Sequence, residues 1–132
     1  MSQENVEIVR RVYDAGNQGD WNAVFRDAPP DLEVTMKAGP NAGTHRGREE
    51  AQAVFEDLLS GFDYWITEPL EFFESGDQVV AIVNNRLRPK GGTSGEFDYQ
   101  NGHIWTIREG NLLSLVAFPT PEEALEAAGL SE

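Results

Sequence analysis

Apolar residues recur at steps of three and four along residues 2–18, where Val6, Val9, Tyr13 and Gly16 form a stripe widened by Ile8, Val12 and Ala15. That period puts them on one face of a helix, with Ser2 placed to cap it. Gly19 and Asp20 interrupt the pattern, and Asp20 can cap a second, short helix through Trp21, Val24 and Phe25 that Pro29 and Pro30 stop. Residues 32–36 are short and mixed and read as a strand. Residues 38–47 hold three Gly and one Pro in ten positions and read as loop. Over residues 48–59 the positions Ala51, Val54, Phe55, Leu58 and Leu59 follow i, i+3, i+4, i+7 and i+8, the signature of a third helix, which Gly61 ends.

Beyond this point the pattern is that of sheet. Residues 64–73, 79–88, 96–108 and 112–118 are rich in β-branched and aromatic side chains, and Ser75-Gly76-Asp77, Gly91-Gly92 and Glu109-Gly110-Asn111 separate them, as in antiparallel strands joined by hairpins. Thr120, Pro121 and Glu123 form a helix start, so residues 122–128 are expected to close the chain as a short helix. Helices gathered before a run of strands predict an α+β layer fold with a mainly antiparallel sheet rather than alternating βαβ units. Residues 1–132 show no internal repeat and are expected to form one domain. A sheet with helices on one face needs cover on the other, which predicts a homodimer.

The formal net charge is -13, so nucleic acid and anionic membrane are not expected as partners. The absence of cysteine removes disulfides and thiolate nucleophiles. His45 and His103 are not joined by a carboxylate at metal-ligand spacing, and HExxH, Walker and GxGxxG patterns are missing; no metal and no nucleotide cofactor is expected. Without an apolar leader or a run of about 20 apolar residues, the chain reads as cytoplasmic.

The run Val6-Glu7-Ile8-Val9-Arg10-Arg11-Val12-Tyr13, followed by Asn17-Gln18-Gly19-Asp20-Trp21, resembles the opening of SnoaL-like polyketide cyclase domains. Arg46-Gly47-Arg48-Glu49, His103-Ile104-Trp105-Thr106 and the closing run from Glu122-Glu123 to Gly129-Leu130 extend the likeness over nearly the whole chain. The resemblance implies the nuclear transport factor 2-like, or ketosteroid isomerase-like, fold: a curved sheet wrapped by about three helices into a cone, a pocket within it, and dimerisation through the outer sheet face. It does not fix the activity, because this fold carries isomerases, cyclases, hydrolases and binding proteins.

Alternation along residues 96–108 puts Phe97, Tyr99, Asn101, His103, Trp105 and Ile107 on one face. An apolar, aromatic surface with Asn101 and His103 set into it has the make-up of a small-molecule site. His103 is the candidate acid-base residue; the plainer reading is a hydrogen-bonded structural histidine. Set against ketosteroid isomerase, the resemblance places the base of that enzyme on Met36, its tyrosine on Val12, a supporting tyrosine on Phe55 and its protonated acid on His103. Three of these four polar roles are apolar here, so steroid-isomerase chemistry is not expected. Glu33 and Asp98 alternate away from Met36 and His103 and are expected outside the pocket. Either Asn85 or Arg86 faces the cavity, and Arg86 and Arg88 are expected to pair with Glu96 or Asp98.

Two functions follow from the resemblance and these residues together. One is acid-base catalysis, a cyclisation or isomerisation of a small apolar carbonyl compound, with His103 catalytic and Tyr99 or Asn101 orienting the substrate oxygen among Trp105, Met36, Val12 and Phe55. The other is a non-catalytic dimeric binding domain for a small apolar ligand.

Overall fold

The computed structural model describes residues 2–91 and 95–130. Its elements are α1 (Ser2–Asn17), α2 (Trp21–Val24), β1 (Glu33–Met36), β2 (Gly43–Arg46), α3 (Arg48–Leu59), β3 (Phe62–Ser75), β4 (Gln78–Pro89), β5 (Phe97–Arg108), β6 (Asn111–Phe118) and α4 (Pro121–Ala127). The expected cap at Ser2 lies at the edge of the described residues, where the side chain is outside the description. Asp20 and Thr120 do cap: their side-chain oxygens accept the backbone N–H groups of Ala23 and Glu123 at 3.2 Å each.

The strands form one sheet in the order β2-β1-β6-β5-β4-β3, antiparallel throughout except where β1 lies parallel to β6. The α+β class and the mainly antiparallel sheet agree with the sequence pattern. Residues 38–47 do not. Four of them form β2, which pairs with β1, because Thr44 and Arg46 find partners across the hairpin: the Thr35 and Thr44 hydroxyls bond at 2.8 Å and Arg46 Nε donates to Glu33 at 3.0 Å. Only the turn before it is the Gly-Pro loop that composition predicts. On edge strand β3, Pro69 sits at a register shift toward Glu71, where its missing N–H costs the ladder nothing, and such a bulge bends the sheet.

Helices α1, α2 and α3 cover the concave face. There Val9, Phe25, Val34, Ala51, Val83 and Ile107 belong to one buried core. The convex face is covered in part by the chain itself, which corrects the expectation that a second copy is the available cover. Ala124 of α4 packs with Val80, Ile82 and Ile104 in a second buried cluster. This docking depends on Gly102, because a Cβ there would stand 2.5 Å from the Ala124 Cβ and 3.4 Å from the Pro121 Cα. Among the described residues no helix is long and apolar enough to cross a membrane.

Overpacking of this kind costs about 1–3 kcal/mol, more than the roughly 0.5–1 kcal/mol that alanine gains over glycine in a strand. Gly102→Ala is therefore expected to destabilise the fold by about 1–2 kcal/mol in urea denaturation, and Ala124→Gly should cost less in the Gly102→Ala background than in the parent protein. A Gly102→Ala protein as stable as the parent would show that α4 is not seated as described.

Candidate functional site

The pleat of β5 sends Tyr99, Asn101, His103 and Trp105 toward the helices, onto the wall of a cavity of about 440 Å³. Val12 of α1, Met36 of β1 and Phe55 of α3 line the same space. All seven residues singled out from the sequence thus meet at one cavity. The two ends of the β5 row do not line it: Phe97 is 46% exposed and Ile107 is buried in the core. Among the described residues, those lining it include no Asp, Glu, Lys or Arg. Glu33 pairs with Arg46, Asp98 accepts from Asn84, and Arg86 meets Glu96 at 3.5 Å on the convex side. Arg88 pairs with Asp63 at 3.9 Å rather than with Glu96 or Asp98, because Tyr64, next to Asp63, is its partner in the ladder.

A first chain of hydrogen bonds ends at His103. Trp105 Nε1 donates to the Tyr13 hydroxyl at 2.9 Å, and that hydroxyl lies 2.6 Å from His103 Nδ1. An indole N–H has no acceptor capacity, so the phenolic oxygen must accept from it, and the phenol's own proton is then given to Nδ1. The ring proton of a neutral imidazole consequently sits on Nε2. The reverse arrangement, with Nδ1–H donating to Tyr13, would leave the Tyr13 proton without an acceptor, at a cost of about 1–3 kcal/mol. Nε2 has no partner among the described residues, yet no buried side-chain nitrogen or oxygen is unsatisfied, so this atom opens to the cavity. Tyr13 and His103 lie nearly parallel, 5.7 Å apart at 18°, with Trp105 edge-on to both.

Burial pushes the His103 pKa down to about 4 and moves the Tyr13 phenol well above its ordinary value. Both groups are neutral at pH 7, and the imidazole presents an N–H donor rather than a bare nitrogen.

A second chain runs through Asn85, which is 3% exposed. Its Oδ1 accepts from Trp65 Nε1 at 3.1 Å and Thr67 Oγ1 at 3.0 Å, and its Nδ2 donates to Asn101 Oδ1 at 2.8 Å and the Tyr99 carbonyl at 3.3 Å. Trp65 again fixes the direction, because only the oxygen of Asn85 can face an N–H. Asn101 therefore turns its oxygen to Asn85 and its amide N–H groups to the cavity. Asn85, not Arg86, is the member of β4 that faces inward. Asn17 pins the end of α1 to β3 with a pair of bonds to Thr67, of 2.8 and 2.9 Å.

Opposite the β5 row stands an aromatic wall. Trp21 and Phe55 stack at 5.9 Å and 6°, with Phe25 alongside at 6.4 Å from Phe55. His45 is separate from His103: its Nε2 donates to the Asn41 carbonyl at 2.8 Å in the loop that borders the cavity. No cluster of three metal-ligating side chains occurs among the described residues.

Sequence reasoning missed Tyr13 as part of the polar frame and left Asn85 as one of two alternatives with Arg86. The resemblance put the hydroxyl position at Val12, whereas the structure carries a hydroxyl one residue on. A tyrosine within an apolar stripe has to find a partner once buried, and that is the signal which points to Tyr13.

Residues 9–115 match the SnoaL-like domain family. A nuclear transport factor 2-like protein from Burkholderia xenovorans LB400 is similar at 28% identity over 96% of this chain and 95% of that one, with a TM-score of 0.72. The putative SnoaL-like polyketide cyclase from Jannaschia sp. CCS1 shares 20% identity and a TM-score of 0.78, covering 98% of this chain and 94% of that one. TerC, crystallised with polyporic acid, shares 21% identity and a TM-score of 0.80, covering 96% and 98%. No curated protein sequence matches the chain.

With a native pKa near 4 and an unfolded one near 6.5, His103 binds a proton in the unfolded chain before it does so in the native one. Its contribution to stability is fully present above about pH 6.5 and is lost as pH falls toward 4, a loss of up to about 3 kcal/mol. His103→Gln should remove that part of the slope, and the ring proton resonance of His103 should show no midpoint near 6.5. A midpoint there would mean that the imidazole is solvated and not held by Tyr13.

Proposed function

The chain belongs to the SnoaL-like family, and on that footing we propose that its cavity binds a small, uncharged, mostly apolar carbonyl compound. The carbonyl oxygen is received by His103 Nε2–H and Asn101 Nδ2–H, and the apolar body rests on Trp21 and Phe55. One observation carries this reading: among the described residues the wall holds two inward N–H donors and no charged side chain. Burying an ionised ligand there without a counter-charge costs several kcal/mol, whereas an apolar ketone brings only an acceptor that the donors satisfy.

Two preorganised donors at a carbonyl oxygen also stabilise the negative charge that develops there on enolisation, and a neutral imidazole can serve as the electrophile. His103 in this reading is the acid side of a cyclisation or isomerisation, with Tyr99 at the rim orienting the substrate. Burial raises the Tyr99 phenol above its ordinary pKa, so it too stays neutral. The second reading is a binding domain without turnover. Its support is that no carboxylate lines the cavity among the described residues to take a proton from carbon.

The assembly we propose is a homodimer through the part of the convex face that α4 leaves bare. Phe73 pairs in register with the convex-face residue Val80, yet is 37% exposed, and Leu70 nearby is 47% exposed.

Titration calorimetry with 9-fluorenone and with fluorene, its counterpart lacking the oxygen, tests the site. The ketone is expected to bind about tenfold more tightly, and His103→Ala should abolish most of that margin while changing fluorene binding little. Equal affinities in the wild-type protein would remove the carbonyl reading. For the assembly, light scattering at micromolar concentration should give the dimer mass and Phe73→Glu the monomer mass; a monomeric parent protein would rule the dimer out.

A further inference from the structure

We propose that Trp65 and Trp105 act as positioning residues that set the direction of both hydrogen-bond chains, and so make the cavity select a ketone or quinone over the alcohol of the same skeleton. This rests on the carbonyl reading above and extends it to ligand choice.

Each chain begins at a group that can only donate and ends at a group that could, by itself, do either. Imidazole can present Nε2 protonated or bare, and a primary amide can present its nitrogen or its oxygen. Nothing intrinsic to His103 or Asn101 decides between these states. The decision is made two bonds away. Trp105 Nε1, at 2.9 Å from the Tyr13 hydroxyl, forces that hydroxyl to pass its proton toward His103. Trp65 Nε1, at 3.1 Å from Asn85 Oδ1, forces the Asn85 amide to pass an N–H toward Asn101.

With phenylalanine at either indole position the order can reverse. The Tyr13 oxygen could accept from Nδ1–H, with its own proton turned to a water in the space the indole leaves, and Nε2 would become an acceptor. Asn85 and Asn101 could flip together, with Asn85 giving up its 3.3 Å bond to the Tyr99 carbonyl and donating to Thr67 Oγ1 instead, and turn a carbonyl into the cavity.

The direction matters because the acceptors beside the two donors face back into the frame. Asn101 Oδ1 takes the Asn85 N–H, and the Tyr13 oxygen takes the Trp105 N–H. A carbonyl meeting this wall is satisfied. An alcohol accepts equally well, but neither His103 nor Asn101 turns an acceptor to its proton, and a buried donor left unsatisfied lowers affinity by about ten- to a hundredfold. A site built to hydrogen-bond one oxygen state rejects the other on the same ground.

The test compares 9-fluorenone, 9-fluorenol and fluorene by calorimetry in the wild-type protein and in Trp105→Phe and Trp65→Phe, with nitrogen-15 NMR of the histidines in the ligand-free proteins. The wild-type protein is expected to prefer the ketone to the alcohol by at least tenfold. Each variant should bring that ratio toward one even where loss of packing lowers the affinity for all three compounds together, a split that mere loss of packing would not produce. NMR should find His103 protonated on Nε2 in the free wild-type protein and redistributed in Trp105→Phe. If Trp105→Phe fails to fold, Tyr13→Phe interrupts the same chain at its middle and should give the same change in ratio.

Fluorenol bound as tightly as fluorenone, with ketone binding still dependent on His103, would overturn the selectivity and leave the carbonyl reading intact. So would a ratio unchanged in both tryptophan variants. A His103 protonated on Nδ1 in the free protein would overturn the proposal whatever the ligands do. If fluorenone binds no better than fluorene, the carbonyl reading falls and the selectivity falls with it.

Discussion

Side chains leave β5 alternately to two faces, and both faces are committed. The odd positions Asn101, His103 and Trp105 enter the cavity, while Gly102 and Ile104 lie under or beside α4. A slip of one residue would bring His103 beneath the helix and Gly102 to the wall. Two neighbours hold the register, with His103 opposite Ala81 on β4 and Ala117 on β6. These alanines also explain where the hollow lies, since the imidazole has a small residue on each side. Trp105, two residues on, stands between Val79 and Leu115. The cone is filled at that level and open at the level of His103.

Once polar atoms are placed on an apolar wall, their hydrogen bonds have to close. The chain meets this requirement without charge. Its acidic excess, a net -13, is carried on the outside, and the wall is satisfied by indole, phenol, hydroxyl and amide groups. A carboxylate in the same place would need a cation or several donors to remain ionised, and the described lining holds no cation. The neutral solution leaves every group with a fixed role, because each chain starts from an atom that cannot accept. Polarity at the site is therefore a property of the frame behind it.

The helices and long strands were legible because their patterns are local. The third helix spans the residues its apolar spacing predicts, and the four long strands differ from their expected limits by at most two residues at either end. β2 was hidden because Gly and Pro dominate its neighbourhood, while the bonds that make it a strand run to Thr35 and Glu33. The docking of α4 was hidden for a related reason: nothing in the local sequence says that Gly102 and Ala124 will meet. Alternation revealed the inward row of β5. It could not choose between Asn85 and Arg86, since either phase of β4 is largely apolar, and the choice comes from pairing with β3 and β5. Tyr13 was visible only as one more member of a helical stripe; its partner His103 lies 90 residues away.

Against the isomerase pattern implied by the resemblance, the losses and the gains fall on different sides of the cavity. Met36 replaces the base, Val12 and Phe55 replace hydroxyls, and all three line the space as apolar surface. The donor side is rebuilt instead, with the Tyr13 hydroxyl behind His103 and Asn85 behind Asn101. Such a site can lower the energy of charge on an oxygen but has no carboxylate among its described residues to draw a proton from carbon. Any reaction it promotes must then be one in which stabilising the oxygen is the larger part of the barrier, as when the carbon acid is activated by a second carbonyl.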